Sequence, residues 1–300
     1  MSRSVYSRRW LPRATLAAGI VALAGCGSKT DLIIGTDGNA AGMGGQAGLN
    51  AAGAGFGGIA GGGGVDCTPV GDPALGLKHR YSFNGTGGAV PDSMGGLPGM
   101  LVPPTGGTFD GQGTLSLDGL TGFVDLPNHL INTLGDATFM VWTSWPKGGS
   151  GFERIFDFGT GTMGENPPGN AAAGTDYIMA TPFTDRMAGK YLGSEFRTQG
   201  TGIIQLSTPI TIKDPTVHQI CVVFHSQLEI DLYLDAKRVG SVPIGTGKLS
   251  DIDDVNNWLG RSQTGLDNRY TGTYTEFRIY DRALDDCTIA TARAAGPDAL

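Results

Sequence analysis

The 300-residue chain combines 51 glycines with a charged fraction of only 16% and a formal net charge of -7 at pH 7. A glycine excess of this size marks a non-globular stretch, while 40% hydrophobic residues still suffice for one sizeable core. An acidic chain without a stripe of lysine or arginine is poorly suited to phosphate backbones, which excludes nucleic acid as the expected partner.

The first 25 residues have the order of a secretory signal peptide. Residues 1–13 are basic and contain no acid, and residues 14–24 form an apolar run too short to span a bilayer with margin. The run ends in Leu23-Ala24-Gly25-Cys26, which resembles the lipobox of bacterial lipoproteins. That resemblance implies cleavage before Cys26 and its acylation, because firm anchoring takes two or more chains. An ordinary signal peptide with an incidental Cys26 is the alternative.

Residues 26–74 predict a disordered tether. The stretch 35–64 is nearly half glycine, and such a segment buries too little apolar surface to offset its chain entropy. A phosphate-binding loop is disfavoured because no strand precedes the stretch and no Gly-Lys-Ser/Thr closes it. A flexible chain of about forty residues reaches roughly 35 Å. We therefore expect the tether to hold a folded domain, residues 75–300, clear of the lipid headgroups.

The folded domain is predicted to be all-β. Its short apolar segments alternate with polar residues, as in residues 229–234, and are separated by Gly, Pro, Asn and Asp. Residues 234–239 predict a tight hairpin, and residues 284–295 predict the one short helix. Strands are predicted at 78–84, 113–117, 122–126, 137–145, 154–158, 176–181, 217–225, 228–234, 237–242, 257–259 and 273–280. Many short strands with this turn spacing are typical of a β-sandwich or jelly roll.

Four blocks of sequence carry a family resemblance. They are LSLDG with GFVDLP at 115–127, TFMVW at 138–142, VHQICVVF with LYLD at 217–235, and WLGRSQ with EFRIYDRAL at 258–284. Their content and order resemble those of laminin-G-like jelly rolls in the concanavalin A-like lectin/glucanase superfamily, over roughly residues 78–285. The resemblance implies a two-sheet sandwich. It does not define a function, because that fold hosts lectins, adhesion modules and glycanases.

Three cysteines follow Cys26, namely Cys67, Cys221 and Cys287, and an exported chain permits disulfides. Cys221 lies in an apolar strand, where it would pack as a small hydrophobe. In jelly rolls of the resembled type the first and last strands are neighbours, which implies a Cys67–Cys287 disulfide. A cysteine metal site is disfavoured, because no Cys-x-x-Cys or Cys-x-x-His spacing occurs.

The resemblance also implies a candidate calcium site. Laminin-G-like jelly rolls often hold one Ca²⁺ at a sandwich edge through carboxylate and loop carbonyl oxygens. Asp92, in the sequence Asp-Ser-Met-Gly-Gly, and Glu276, near the last strand, are the residues it nominates. Thr275 stands where the family commonly has an acid, which removes one potential ligand. The alternative role of Asp92 is that of a turn residue.

A glycanase is the catalytic hypothesis. Glu229, Asp231 and Asp235 resemble the acid-bearing strand of the glucanases in this superfamily, in which two carboxylates about 5 Å apart serve retaining hydrolysis. Here the third acid is an aspartate within the predicted hairpin turn. A solvated strand face closed by an Asx turn is the simpler interpretation.

A non-catalytic binding module for glycan or protein ligands is the leading functional hypothesis. Trp145, Phe152 and Tyr270 are the candidate ligand-binding aromatics, because an exposed ring offers a flat apolar face to a sugar or a partner. Trp142 and Trp258 match core positions of the family. The alternatives are a structural or adhesion component without a small ligand and, more distantly, a glycan hydrolase. The residue after Cys26 is not the aspartate that marks inner-membrane retention, so outer-membrane or cell-surface anchoring is expected.

Overall fold

The computed structural model describes residue 67 and residues 71–146, 151–167, 173–184, 191–212 and 214–300. The predicted signal peptide, Cys26 and most of the predicted tether lie outside the described residues. The described residues from 71 onward fold as an all-β domain with one α-helix.

Short alternating segments form the strands, as expected. In chain order the described strands are β1 Leu77–Tyr81, β2 Ala89–Val90, β3 Gly99–Val102, β4 Gly107–Phe109, β5 Leu115–Asp118, β6 Phe123–Leu126, β7 Ala137–Ser144, β8 Phe156–Gly161, β9 Gly174–Thr184, β10 Tyr191–Thr198, β11 Gly202–Ser207, β12 His218–His225, β13 Glu229–Leu234, β14 Lys237–Pro243, β15 Asn256–Leu259 and β16 Thr271–Tyr280. A 3₁₀ turn spans Leu249–Asp251, and helix α1 spans Asp286–Ala295.

The strands form two antiparallel eight-stranded sheets. Sheet A has the order β14-β13-β12-β7-β16-β5-β4, and β1 pairs with the second half of β16. Sheet B has the order β11-β10-β9-β8-β15-β6-β3-β2. The predicted sandwich is therefore confirmed. Strand order also brings distant segments together: β8, β15 and β6 are neighbours in sheet B although β15 is some hundred residues downstream of the other two along the chain.

The main core lies between the sheets, and β12 shows how the sequence builds it. Ile220, Val222 and Phe224 alternate with Cys221 and Val223 along this strand. The first three are buried in the inter-sheet cluster, and the other two are buried in a second cluster on the opposite face of sheet A. Both faces of this strand are therefore apolar. Burial of such side chains contributes about 25 cal/mol per Å² and is the main stabilising term.

Aromatic rings fill the centre of the sandwich. Phe139 and Phe277 of sheet A meet Phe156 and Phe158 of sheet B, with ring centroids 5.3 to 5.7 Å apart in tilted or edge-to-face pairs. These geometries are the ones that ring quadrupoles favour. The two sheets are thus fixed against each other by a packed aromatic layer.

Helix α1 covers the outer face of sheet A. It begins after Asp285, whose side chain accepts a hydrogen bond from the Thr288 N–H at 2.7 Å. The cluster beneath it contains Met140, Trp142, Cys221, Val223, Tyr233, Ile289 and Ala292. A Cys67–Cys287 disulfide ties the segment before the sandwich to the first turn of this helix, and Cys221 is a buried free thiol. Helix α1 and this cluster cover the outer face of sheet A around β7, β12 and β13.

Two local predictions are confirmed. The helix predicted at 284–295 is α1, and the hairpin predicted at 234–239 joins β13 to β14. Asp235 and Ala236 at its tip both have positive φ, 49° and 63°, as a two-residue turn of type I′ requires. Helix α1 is too short and too polar to cross a bilayer, and the described part of the chain contains no other α-helix that could.

Candidate functional site on the outer face of sheet B

Five side chains lie in one line across the outer face of sheet B. Glu195 of β10 pairs with Met179, Met179 with Asp157, Asp157 with Trp258, and Trp258 with Asp125. The residues that flank them along each strand are mostly core residues, so strand alternation turns these five away from the core. We call these five residues the outer row. Four are buried and Asp125 is partly exposed.

A buried ion network holds the middle of the outer row. Arg154 donates from Nε to Asp157 Oδ2 at 2.9 Å and from Nη2 to Asp267 Oδ2 at 2.8 Å. The Gln263 N–H also donates to Asp157 Oδ2, at 3.0 Å. Asp267 and Gln263 belong to the loop that joins β15 to β16, so this network fastens the loop onto the face of the sheet.

Burial controls the electrostatics of this network. It raises the pKa of Asp157 from 3.8 to about 6, although Arg154 and the Gln263 N–H favour the charged form. Burial lowers the pKa of Arg154, but the carboxylates of Asp157 and Asp267 more than offset it and the pKa is raised overall. Arg154 is therefore a fixed cation, and Asp157 is the group whose charge depends on pH.

Aromatic and cationic side chains meet at the β6 end of the outer row. Trp258 donates from its indole nitrogen to Asp125 Oδ1 at 3.0 Å and meets the ring of Phe123 edge-on. The Arg261 guanidinium lies 3.9 Å from the Trp258 ring centroid and 4.7 Å from that of Phe123. The Arg269 guanidinium lies 4.9 Å from the Phe123 centroid. We call Arg261 and Arg269 the arginine pair.

Burial disfavours the charged form of both arginines in the pair. Burial, and to a lesser extent the charge of Arg269, lower the pKa of Arg261 to about 10, although the Asp125 carboxylate favours the charged form. Burial also lowers the pKa of Arg269. Strong shifts of this kind concentrate at functional sites.

Two of the three predicted ligand-binding aromatics are buried, so the prediction that they are exposed is wrong. Trp145 donates from its indole nitrogen to the Ile212 carbonyl at 3.1 Å and is 1% exposed. The Tyr270 hydroxyl bonds to the Thr143 hydroxyl at 2.7 Å, and its ring has no exposed surface. Trp145 directly follows β7 and Tyr270 directly precedes β16, so both rings are held close to the core by the ends of these strands.

Phe152 stays a candidate. Its ring is partly exposed and lies under the Arg154 guanidinium, 5.4 Å from centroid to carbon. Its backbone carbonyl accepts a hydrogen bond from Arg154 Nη1 at 2.8 Å. Phe152 therefore borders the ion network of the outer row. Trp142 and Trp258, which match core positions of the family, are both buried.

Asp92 is fully engaged by protein donors. Its Oδ1 accepts the N–H groups of Arg80, Met94 and Gly95 at 2.9 to 3.0 Å, and its Oδ2 accepts from His79 Nδ1 at 2.8 Å. Burial raises its pKa, but these hydrogen bonds outweigh burial and lower the pKa below the ordinary 3.8. Asp92 therefore acts as the organising residue of its turn.

Glu276 is engaged by two arginines. Arg80 donates to both of its carboxylate oxygens, at 2.9 and 3.1 Å, and Arg278 also donates to Oε1. A metal cation beside Glu276 would be repelled by two guanidinium groups. Among the described residues, no group of three or more potential metal ligands occurs. Asp92 and Glu276 as placed do not fit a shared calcium site.

The acids of the glucanase-like strand are each held by a different partner. Glu229 accepts the Ser241 hydroxyl at 2.6 Å, and Asp231 lies 3.2 Å from Arg238 Nε. Asp235 lies in the hairpin turn and accepts from His218 at 2.6 Å. These acids belong to β13 and its turn in sheet A, away from the outer row.

The side chains of the outer row and its loop were not predicted as a site. Arg154, Asp157, Gln263 and Asp267 are spread over more than a hundred residues of sequence, and only the β8–β15 pairing brings them together. Arg261 does lie in the WLGRSQ block, where it served only as a marker of the fold. A charged residue at an outward position of a strongly apolar strand, as in Phe-Asp-Phe at 156–158, was the available signal.

Comparison with known families and structures agrees with this architecture. A laminin-G family model described as the concanavalin A-like lectin/glucanases superfamily matches residues 118–290. No curated protein sequence matches the chain significantly.

Solved structures with a similar fold share little sequence with this chain. The Trypanosoma rangeli sialidase solved with sialic acid has a TM-score of 0.52 at 12% identity, with 73% of this chain and 32% of the sialidase covered. This chain thus spans about a third of that enzyme. Domain 4 of AbnA, a GH43 extracellular arabinanase from Geobacillus stearothermophilus in complex with arabinotriose, has a TM-score of 0.49 at 17% identity. The match covers 72% of this chain and 97% of that domain. Since the family model covers more than half of the residues, the chain belongs to the concanavalin A-like lectin/glucanase superfamily.

Proposed function

We propose that this protein is a lipid-anchored envelope protein whose sandwich is a non-catalytic module that binds glycans on the outer face of sheet B. The observation that carries the proposal is the contrast between the two outer faces. That of sheet A is largely covered by α1 and an apolar cluster, whereas that of sheet B carries a buried row of acidic and aromatic side chains with partly exposed polar groups at its margin. Sugar sites combine a few fixed polar groups with an aromatic surface.

The polar groups of this face are of two kinds. Arg154 and Asp157 are buried and hydrogen-bonded, so they form a rigid floor. Asp125, Arg197 and Asp267 are partly exposed and border that floor. A rigid floor with an accessible polar rim is the arrangement that preorganises a binding site.

The same contacts support a non-catalytic role. A retaining glycosidase needs two carboxyl groups about 5 Å apart that both reach the substrate. Glu229 and Asp231 each have their own protein partner in sheet A, and Asp157 is enclosed by Arg154 and Gln263. These carboxyl groups serve structure in the arrangement described. The lipid anchor and the envelope location rest on the lipobox resemblance of Cys26.

A glycan array probed with the purified full-length protein tests the proposal. We expect binding to a limited set of glycans, loss of that binding in Arg197→Ala, and retention in the control Arg238→Ala, which removes a charge from β14 of sheet A. New reducing ends released from a bound glycan, and abolished in Glu229→Gln, would establish a hydrolase instead. Silence on the array together with a captured envelope protein would favour the structural or adhesion role.

A further inference from the structure

The arginine pair lacks the partners that such cations normally have. Arg261 is 8% exposed, and its Nη2 donates a hydrogen bond to the Pro167 carbonyl at 2.7 Å. Arg269 Nη1 is buried without a hydrogen-bond partner, and among the described residues no carboxylate pairs with this guanidinium. A guanidinium carries five donors, and buried donors are normally satisfied.

The two charges also act on each other. Both guanidinium carbons lie within 5 Å of the Phe123 ring centroid, and each cation is held against an aromatic ring rather than an acid. Asp125 is the acid that faces Arg261, but its Oδ1 already accepts the Trp258 indole N–H. Two like charges are therefore desolvated side by side, although the chain as a whole has a net charge of -7. Their positive charge is not fully neutralised by the protein, so it would attract a bound anion.

The surroundings define what kind of anion would fit. Aromatic rings hold guanidinium planes in place by cation–π contact, and a planar guanidinium pairs with a carboxylate through two parallel hydrogen bonds. The pair lies at the β6 end of the outer row, where the rim of the proposed glycan site contains Asp125.

We propose that the arginine pair binds the carboxylate of an acidic saccharide, so that the ligands of this module are glycans built with uronic or similar sugar acids. This inference rests on the proposed glycan-binding function and specifies its substrate class. Arg269, whose side chain is partly exposed, supplies the Nη1 donors that no protein acceptor uses. Arg261 supplies the second charge, and the Trp258 and Phe123 rings fix its geometry.

Matched acidic and neutral ligands test the proposal. We would measure calorimetric binding of the full-length protein to oligouronates (galacturonate, glucuronate and mannuronate series) and to their methyl esters, which keep the sugar skeleton and remove the charge. We expect an oligouronate to bind, its methyl ester to bind at least tenfold more weakly, and the affinity to fall with added salt.

Variants assign the effect to the pair. Arg269→Gln should weaken oligouronate binding at least tenfold, and Arg269→Lys should recover only part of it, since lysine keeps the charge without the bidentate fork. Arg282→Gln, which removes an exposed charge after β16, is the control and should change affinity less than twofold. Each variant's melting temperature is measured alongside, and Arg269→Gln should melt no lower than the wild type because it removes a desolvated cation.

Several outcomes would overturn the inference. Equal affinity for an oligouronate and its methyl ester, or unchanged oligouronate affinity in Arg269→Gln, would show that the arginine pair does not recognise a carboxylate. Array binding confined to neutral glycans would also overturn it, yet would leave the proposed glycan-binding function standing. Absence of binding to every glycan would remove both.

Discussion

At the scale of single residues, the charge state and orientation of the buried polar groups on sheet B depend on their surroundings and hydrogen-bond partners more than on the intrinsic chemistry of each side chain. Asp157 illustrates this, because its Oδ2 accepts from Arg154 and Gln263 while its buried Oδ1 has no hydrogen-bond partner. Both ionised and neutral forms of such a carboxyl are accessible near pH 6. The stability of the sandwich should therefore report the protonation of this one residue.

Asp157→Asn should remove a pH dependence. Between pH 3.8 and about 6 the folded chain holds a proton on Asp157 that the unfolded chain has lost, so this group makes stability fall as pH rises through that window. The difference in unfolding free energy between wild type and variant should drop by about 2 kcal/mol from pH 4 to pH 7. Urea unfolding at several pH values measures it. A difference that is flat, or that grows with pH, would contradict the raised pKa.

The contribution of Asp92 to stability depends on pH in the opposite direction to that of Asp157. Its folded pKa lies below 3.8, so its contribution is present above the unfolded value and is lost as pH falls through the folded one. Asp92→Ala should cost about 3 kcal/mol near neutral pH, because it leaves several N–H donors without their charged acceptor. Asp110→Ala, in an exposed turn, is the control and should cost less. Equal losses in urea unfolding would show that the Asp92 turn is no more important than an exposed one.

The residue scale is also where prediction from sequence failed most. Trp145 and Tyr270 were expected to be exposed because, unlike Trp142 and Trp258, they match no core position of the family, but their polar atoms bond to the Ile212 carbonyl and the Thr143 hydroxyl inside the domain. Hydrogen bonds between residues more than sixty positions apart leave no local trace in a sequence. The same holds for Arg154 and Asp267.

At the scale of elements, the sequence was far more informative. Alternation and turn residues located most strands of sheet A, the β13–β14 hairpin and helix α1. Strands β10 and β11 were missed because Gly193 and the glycines around residue 200 obscure the alternation of Leu192, Ser194 and Phe196. Strands β2 to β4 were missed because they are two to four residues long and are surrounded by proline and glycine.

The Cys67–Cys287 disulfide is the strongest single constraint between elements. It closes a loop with a sequence separation of 220, and the chain-entropy model gives about 5 kcal/mol for such a loop. The double variant Cys67→Ser, Cys287→Ser should lose stability on this scale in urea unfolding. Reductant should destabilise the wild type to a similar degree and leave the double variant unchanged. Free thiols at both positions in the oxidised wild-type protein, found by mass mapping, would contradict the pairing.

At the scale of the whole molecule, a superfamily sandwich follows a long glycine-rich segment and a lipobox-like sequence. The fold was predictable because four blocks of sequence recur in family order, whereas the ligand was not, because this fold hosts many functions. The location of the protein rests on its first 26 residues, and it is open to direct test.

Acylation of Cys26 is the prediction for the full chain. Cells expressing the protein and fed radiolabelled palmitate should yield a labelled product that fractionates with membranes. Cys26→Ser should carry no label and should lose membrane association, because one thiol bears the proposed anchor. The control Cys221→Ala should be labelled like the wild type, since that thiol is buried in the sandwich. Unlabelled wild-type protein would refute the anchor.

Ligand mapping by solution NMR tests the central claim most directly. Backbone amide shifts would be recorded for the full-length protein with and without the best glycan from the array. We predict changes confined to β6, β8 to β10, β15 and the loop at 260–270, all on sheet B. Changes concentrated in β12 to β14 or α1, on sheet A, would contradict the assignment of the outer face of sheet B as the glycan site.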